Sequence, residues 1–319
     1  MMILLSAFFR LVRWPNLVFI VLTQSLFYYC FIYSSERGLS SSNDIYLKPS
    51  LFVLLMIASV LIAAAGYIIN DYFDLNIDKI NKPERIVVEK IIKRRWAIAW
   101  HLIFTSIGVL LSFYIGYKIS NWLLGFLNLL SAVLLWFYST TFKKKLMIGN
   151  IIISLLTAWV VIVLYFCEWR FYYVFNDEAD MYKKYIQLLF KVSVLYGGFA
   201  FIISLIREVV KDLEDIQGDE KYGCRTMPIV WGVPASKVFT ATWLVVLIAT
   251  LVIVQVYAIQ QHWWWLAVYC ILCVVLPLIL ILKQLNKAVL MKDYHKLSSR
   301  IKMVMLTGIL SMIFFKIYH

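Results

Sequence analysis

Apolar residues in this chain fall into long runs, with polar residues gathered between them rather than alternating with them. Nine such runs can be traced, at about 14–33, 51–70, 97–117, 121–140, 147–167, 186–207, 238–258, 263–282 and 302–317. Each has about the length an α-helix needs to cross the ~30 Å hydrocarbon core of a bilayer, roughly 20 residues at ~1.5 Å per residue. The stretch from Val238 to Leu282 contains no Asp, Glu, Lys or Arg, which leaves room for two spans. Trp, Tyr and Phe recur near the run ends, as at Trp14, Tyr33, Trp96, Tyr117, Trp122, Tyr138 and Trp263–Trp265. That is the placement expected of an aromatic belt at the lipid–water boundary.

Composition excludes a soluble globular domain. Hydrophobic residues make up 63% of the 319 and charged residues 15%, against roughly 45–50% and about 25% in soluble domains. The pattern predicts an all-α polytopic membrane protein: a bundle of nine transmembrane helices in a single domain, 1–319, with the lipid bilayer as its obligatory partner.

The net charge of +13 does not call for nucleic acid, because Lys and Arg concentrate on the cytoplasmic side of membrane proteins. With nine spans and a cytoplasmic N-terminus, the inner side holds 23 of the 31 Lys and Arg residues. An even number of spans would scramble that bias. The expected location is the cell inner membrane, with the first run retained because no small-residue cleavage site follows it. Five cysteines, Cys30, Cys167, Cys224, Cys270 and Cys273, read as small apolar packing residues. The four histidines have no metal-ligand spacing. The outer segment 168–191 carries no assignable role.

Two stretches break the apolar pattern in the same way. Asp71, Asp74 and Asp78 follow the second run, and Asp212, Asp215 and Asp219 follow the sixth. Steps of three and four residues place each trio on one helix face. Both trios fall on the cytoplasmic side of a topology that was set by Lys and Arg alone. Carboxylates at a membrane edge are functional candidates. Two matched sets suit Mg²⁺, which takes oxygen ligands from one or two carboxylates and completes its shell with water and substrate phosphates. Asn70 stands directly before the first trio.

Cations stand where a diphosphate would need them. Lys82 and Arg85 follow the first trio, Arg207 and Lys211 precede the second, and Arg225 follows it. Arg offers phosphate a fixed fork of donors and Lys a point charge. Tyr138 and Lys143, after the fourth run, lie on the same side, and Arg13-Trp14-Pro15-Asn16 opens the first run with Asn16 as a polar group in an apolar segment. Arg85, Tyr138, Lys143, Arg207 and Lys211 are the candidate catalytic residues; Asn16, Lys82 and Arg225 are the candidate substrate contacts. Metal ions and cations together would neutralise a diphosphate and favour its departure from an allylic carbon. Aromatic faces would shield the resulting cation.

The chain resembles the UbiA-type intramembrane prenyltransferases. Asn70, Asp74 and Asp78 meet that family's Asn-x3-Asp-x3-Asp element, Asp215 and Asp219 its Asp-x3-Asp element, and Tyr138 with Lys143 its tyrosine–lysine element. The resemblance implies nine helices around a central cavity and Mg²⁺-dependent transfer of a prenyl group from its diphosphate to a lipophilic acceptor. Residues 70–83 and Arg207–Asp219, followed by Gly223, Thr226 and Pro228, are most similar to the geranylgeranylglycerol-phosphate geranylgeranyltransferases. An aromatic-acceptor enzyme of quinone or chlorophyll-type lipid synthesis is the alternative. A cation transporter is a remote one, because no span centre carries a paired charge. One departure stands out: after Arg85 the family commonly continues Pro-Ile or Pro-Leu, then a small residue and Gly, where this chain reads Ile86-Val-Val-Glu89-Lys90.

Overall fold

The computed structural model describes residues 2–33, 47–169 and 180–318. Their regular structure is helical, in the order α1 (Met2–Leu11), α2 (Trp14–Phe27), α3 (Pro49–Asn81), α4 (Arg94–Lys118), α5 (Leu123–Thr140), α6 (Ile148–Glu168), α7 (Asp180–Lys221), α8 (Met227–Val230), α9 (Gly232–Gln260), α10 (Trp264–Cys270), α11 (Leu276–Lys287), α12 (Met291–Leu310) and α13 (Met312–Tyr318). Wider π-type turns, Tyr28–Ile32 and Ile271–Val275, extend α2 and join α10 to α11. Among the described residues, eight helices are long and apolar enough to cross a bilayer. The ninth expected span, 302–317, is divided between α12 and α13. The first turns of α12 are polar (Met-Lys-Asp-Tyr-His-Lys), and the helix breaks at Ser311.

Lengths explain where the acidic trios lie. α3 has 33 residues and α7 has 42, well beyond the ~20 that a bilayer requires. In each, the acidic trio follows the apolar part as an overshoot at the C-terminal end, so one continuous helix carries its carboxylates past the apolar segment. Large side chains on many helices face outward, among them Leu110, Ile253 and Trp265. A water-soluble fold would bury that surface, whereas a lipid-facing one presents it.

The chain divides into two compact units, residues 1–143 with 159–194, and residues 144–158 with 195–319. In the first, α3, α4 and α5 pack closely at small residues. A Cβ on Gly108 would meet Ile62 and the Ala58 carbonyl oxygen, and one on Gly125 would meet the Phe113 ring. Buried polar side chains tie helices together where no water can serve them. Gln24 donates to Ser59 Oγ at 3.0 Å and to the Val160 carbonyl at 3.2 Å. Asn128 donates to Ser112 at 2.9 Å and accepts from Trp159 Nε1 at 2.8 Å.

The second unit has its own core, with Ile203, Ile206 and Val210 of α7 packed with Leu244 of α9, Leu278 and Leu285 of α11, and Leu297 and Ile301 of α12. All five cysteines but Cys273 are buried, as expected of packing residues.

Candidate active site

In the first unit, the site is built on the last three turns of α3. Asp74 is 4% exposed and Asn70 is 7% exposed. One helical turn separates them, and Asn70 Nδ2 donates to Asp74 Oδ2 at 2.6 Å. Lys143, just past α5, pairs its ammonium with the same oxygen. Burial works against the Lys143 charge, but Asp74, then Tyr138 and Asp78, more than offset it, so its pKa is held well above the ordinary lysine range. Three predicted residues, Asn70, Lys143 and Asp78, thus come together around the buried Asp74 carboxylate, and Tyr138 stands beside Lys143.

Asp71 points to a different partner. Arg13 Nη2 donates to Asp71 Oδ1 at 2.7 Å, and the guanidinium carbon lies 5.3 Å from the centre of the Tyr67 ring. The first-span element therefore reaches the cluster through Arg13. Asn16, one turn on, is half-buried, and its backbone N–H donates to the Arg13 carbonyl. Arg13 links α1 to α2 in the left-handed region, with φ 50 and ψ 52. A non-glycine residue held there is strained, and such strain clusters at functional sites.

The connection after α3 begins with the half-buried Lys82 and a single tight turn, Pro83–Arg85; the Arg85 side chain lies outside the described residues. The segment that departs from the family pattern then folds inward. Val87 and Val88 are buried against Ala7, Leu11, Ile68, Leu75 and Ala97. Glu89, with φ 67, pins the turn through Arg94 at 2.7 Å. This apolar plug explains the composition of the loop, since β-branched residues fill the corner between α1, α3 and α4.

In the second unit the site is built on the last four turns of α7. Glu208 accepts from Lys211 Nζ at 2.8 Å and from Arg207 Nη1 at 3.2 Å. Asn150, in the first turn of α6, donates to Asp212 Oδ2 at 2.8 Å. Glu214 is buried and meets His295 Nδ1 at 2.9 Å. Asp215 is half-buried and Asp219 buried. α7 stops at Gly223, whose φ of +69 suits a residue without a Cβ. The Arg225 side chain is exposed, and its backbone N–H donates to the Lys144 carbonyl at 2.9 Å.

Two buried atoms test whether these residues fit a cation-bound diphosphate. Asn70 Nδ2 donates to a carboxylate, which can only accept, so the amide orientation is fixed and Oδ1 is left as a buried oxygen with no donor among the described residues. Among the described residues, Arg207 Nε is a buried donor with no acceptor. An oxygen lacking a positive partner and an N–H lacking a negative one are what a hard cation and a phosphate would complete. Among the described residues, no three His, Cys, Asp or Glu side chains converge closely enough to hold a metal unaided.

Arg13, Asn150, Glu208 and His295 were not singled out as site residues from the sequence. Asn150 carried a readable signal as a polar residue in the apolar run Ile148–Leu156. Glu208 and His295 carried none, since nothing in their spacing shows what they face.

Comparisons with known proteins bear on the fold and the family. The chain is 33% identical over 194 residues to the digeranylgeranylglyceryl phosphate synthase of Methanothermobacter thermautotrophicus, covering 60% of each chain, so it spans under two thirds of that relative's length. A solved structure concerning digeranylgeranylglyceryl phosphate synthase in membranes superposes with a TM-score of 0.58 at 24% identity, covering 97% of this chain and 98% of the other. A UbiA homologue from Archaeoglobus fulgidus bound to DMAPP and Mg²⁺ superposes with a TM-score of 0.55 at 14% identity, covering 96% and 99%. Residues 38–299 match the model of the UbiA prenyltransferase family, and the chain belongs to that family.

Proposed function

We propose that this protein is an integral membrane prenyltransferase that moves a geranylgeranyl group from its diphosphate to geranylgeranylglycerol phosphate, with Mg²⁺ as cofactor. The observation that carries the reading is the buried Asn70–Asp74–Lys143 constellation, with Asn70 Oδ1 left open for a cation. Family membership supports the reaction class, the name of the similar archaeal synthase supports the acceptor, and the Mg²⁺ in the A. fulgidus homologue supports the metal.

Asn70, Asp71, Asp74, Asp78, Asp212, Asp215 and Asp219 are the proposed metal-holding set. When bound, Mg²⁺ neutralises diphosphate oxygens and makes pyrophosphate a better leaving group. The chain's own residues do the rest. Lys143, Arg207, Lys211 and Arg85 supply positive charge to the departing oxygens, with Lys82 and Arg225 as further phosphate contacts. Arg207 offers its unpartnered Nε–H to one of them. Tyr138 stands beside Lys143 and turns an aromatic face to the allylic carbon as the C–O bond breaks. The acceptor hydroxyl oxygen then forms the new ether bond to that carbon and passes its proton to the departing diphosphate. Asn16 helps place the acceptor near the start of α2. The N-terminus and site are assigned to the cytoplasmic face of the inner membrane, following the Lys and Arg distribution, and the chain is assigned a single functional domain.

The decisive experiment offers the purified protein Mg²⁺, labelled geranylgeranyl diphosphate and a panel of acceptors. Labelled ether lipid should form from geranylgeranylglycerol phosphate, with none from aromatic acids, and EDTA should stop it. Prenylation of an aromatic acid instead would replace the acceptor assignment. No transfer to any acceptor would remove the enzymatic one.

A further inference from the structure

α1 is too short to be a span. Its 10 residues rise about 15 Å, roughly half of what a bilayer core needs. Three pairs of its side chains, each pair one turn apart, divide the helix circumference among three different faces. Ala7 and Leu11 are buried and pack with Ala64 and Ile68 of α3 and Ala97 of α4. Leu5 and Phe9 are apolar and bare, at 56% and 46% exposure. Ser6 and Arg10 are exposed and polar.

Only one surrounding satisfies all three faces. In the hydrocarbon core the Arg10 charge would be costly. In water Leu5 and Phe9 would stay wet. A helix lying flat at the boundary of headgroups and acyl chains turns one face to protein, one to lipid and one to water. Its neighbours mark the same level. Phe8 rests on Trp100, with ring centres 4.7 Å apart. Trp96 and Trp100 in the first two turns of α4, and Trp14 at the start of α2, are exposed, as aromatics at a lipid–water boundary are. The bare face of α1 thus continues the lipid-facing surface of the spans beside it.

The step from α1 to the acidic end of α3 is short. Leu11 and Val12 are buried, and the next residue, Arg13, grips Asp71 at 2.7 Å. We propose that α1 lies flat in the leaflet on Asp71's side, with Leu5 and Phe9 among the acyl chains and Arg10 at the lipid phosphates, and that this lipid contact steadies the Arg13–Asp71 pair. The proposal is independent of the metal and of the acceptor.

The test uses the full chain in phospholipid nanodiscs. Trifluoromethylphenylalanine replaces Phe9 in one sample and Ser6 in another, and ¹⁹F relaxation is read with two probes, an acyl-chain doxyl lipid and a water-soluble gadolinium chelate. The label at position 9 should relax several-fold more with the doxyl lipid than with the chelate, and the label at position 6 the reverse. Relaxation of both labels by the chelate alone would put the face in water and overturn the proposal. Protection of position 9 from both probes would show it covered by protein, such as a second copy of the chain, and overturn it equally. Hydrogen exchange tests the coupling. Leu5→Gln combined with Phe9→Gln should speed exchange several-fold at residues 10–16, toward the rates of Arg13→Ala, and leave α4 unchanged. Unaltered exchange at residues 10–16, or loosening that runs through α4 as well, would overturn the steadying role.

Discussion

Arg13 reaches Asp71 at 2.7 Å across 58 residues of sequence, from a backbone conformation that side-chain-bearing residues rarely adopt. The pair fixes the short link between α1 and α2 to the acidic end of α3. Burial opposes the Arg13 charge and Asp71 outweighs it, so the guanidinium pKa is raised further. Arg13 is 36% exposed and Asp71 19%, which places the pair between a surface bridge and a buried one. Arg13→Ala should therefore lower stability by about 1–3 kcal/mol, between those two limits. Thermal unfolding of Arg13→Ala, Asp71→Asn and the double variant checks this. The double variant should lose clearly less than the two singles added together.

Lys143 and Asp74 make the complementary case. In Lys143→Met the buried Asp74 carboxylate loses its ammonium partner and keeps the Asn70 amide. Removing one member of such a pair costs about 3 kcal/mol or more. Tm in EDTA should fall, and Mg²⁺ with pyrophosphate should raise it by more than in the parent protein, because a bound cation replaces the missing charge. Turnover should be lost under both conditions. Equal Tm gains in variant and parent would place Lys143 outside the metal's reach.

These relationships show what the sequence could and could not reveal. Helices were legible because membrane spans are long apolar runs, and the acidic trios were legible because three- and four-residue steps share one helix face. The Asn70–Asp74 bond is local, one turn apart. The partners of Asp71 and Asp212 were not legible, because Arg13 and Asn150 lie 58 and 62 residues away and helix packing alone brings them in. The inward fold of Val87 and Val88 was hidden for the same reason: a short apolar segment in a basic loop looks like a connection until α1 and α4 close over it. The end of the ninth run was misleading in another way, since hydropathy averages over the break at Ser311.

The start of α12 makes a prediction about pH. Asp293 accepts from the backbone N–H groups of Leu290 at 3.0 Å and Val289 at 3.1 Å. Those bonds favour the ionised form and lower its pKa, Leu290 more than Val289. A depressed carboxylate contributes stability that is present above its unfolded value of about 3.9 and is lost as pH falls through the lower folded value. The first turn of α12 should thus stay protected at neutral and mildly acidic pH and loosen only below the ordinary carboxylate range. Hydrogen exchange at residues 289–294 reads this directly. Asp293→Ala should show the loosened rates at every pH.

Two glycines separate close packing that can adjust from close packing that cannot. A Cβ on Gly125 would lie 2.3 Å from Phe113 Cδ1, and one on Gly108 would lie 2.8 Å from Ile62 Cγ1 and 3.1 Å from the Ala58 carbonyl oxygen. The first contact is the shorter, yet Phe113 is only half-buried and its ring can swing toward lipid. The Ala58 carbonyl belongs to the backbone of α3 and can move only with the helix. Overpacking typically costs about 1–3 kcal/mol, and Gly125→Ala should fall at the low end of that range, with activity retained. Gly108→Ala should fall at the high end and also reduce turnover, because pushing α3 away from α4 displaces the helix that carries Asn70 and Asp74 three to four turns further on. Measuring Tm and prenyl transfer on both variants decides it. If Gly125→Ala proved the more damaging to activity, α3 would not be the element whose position sets the site.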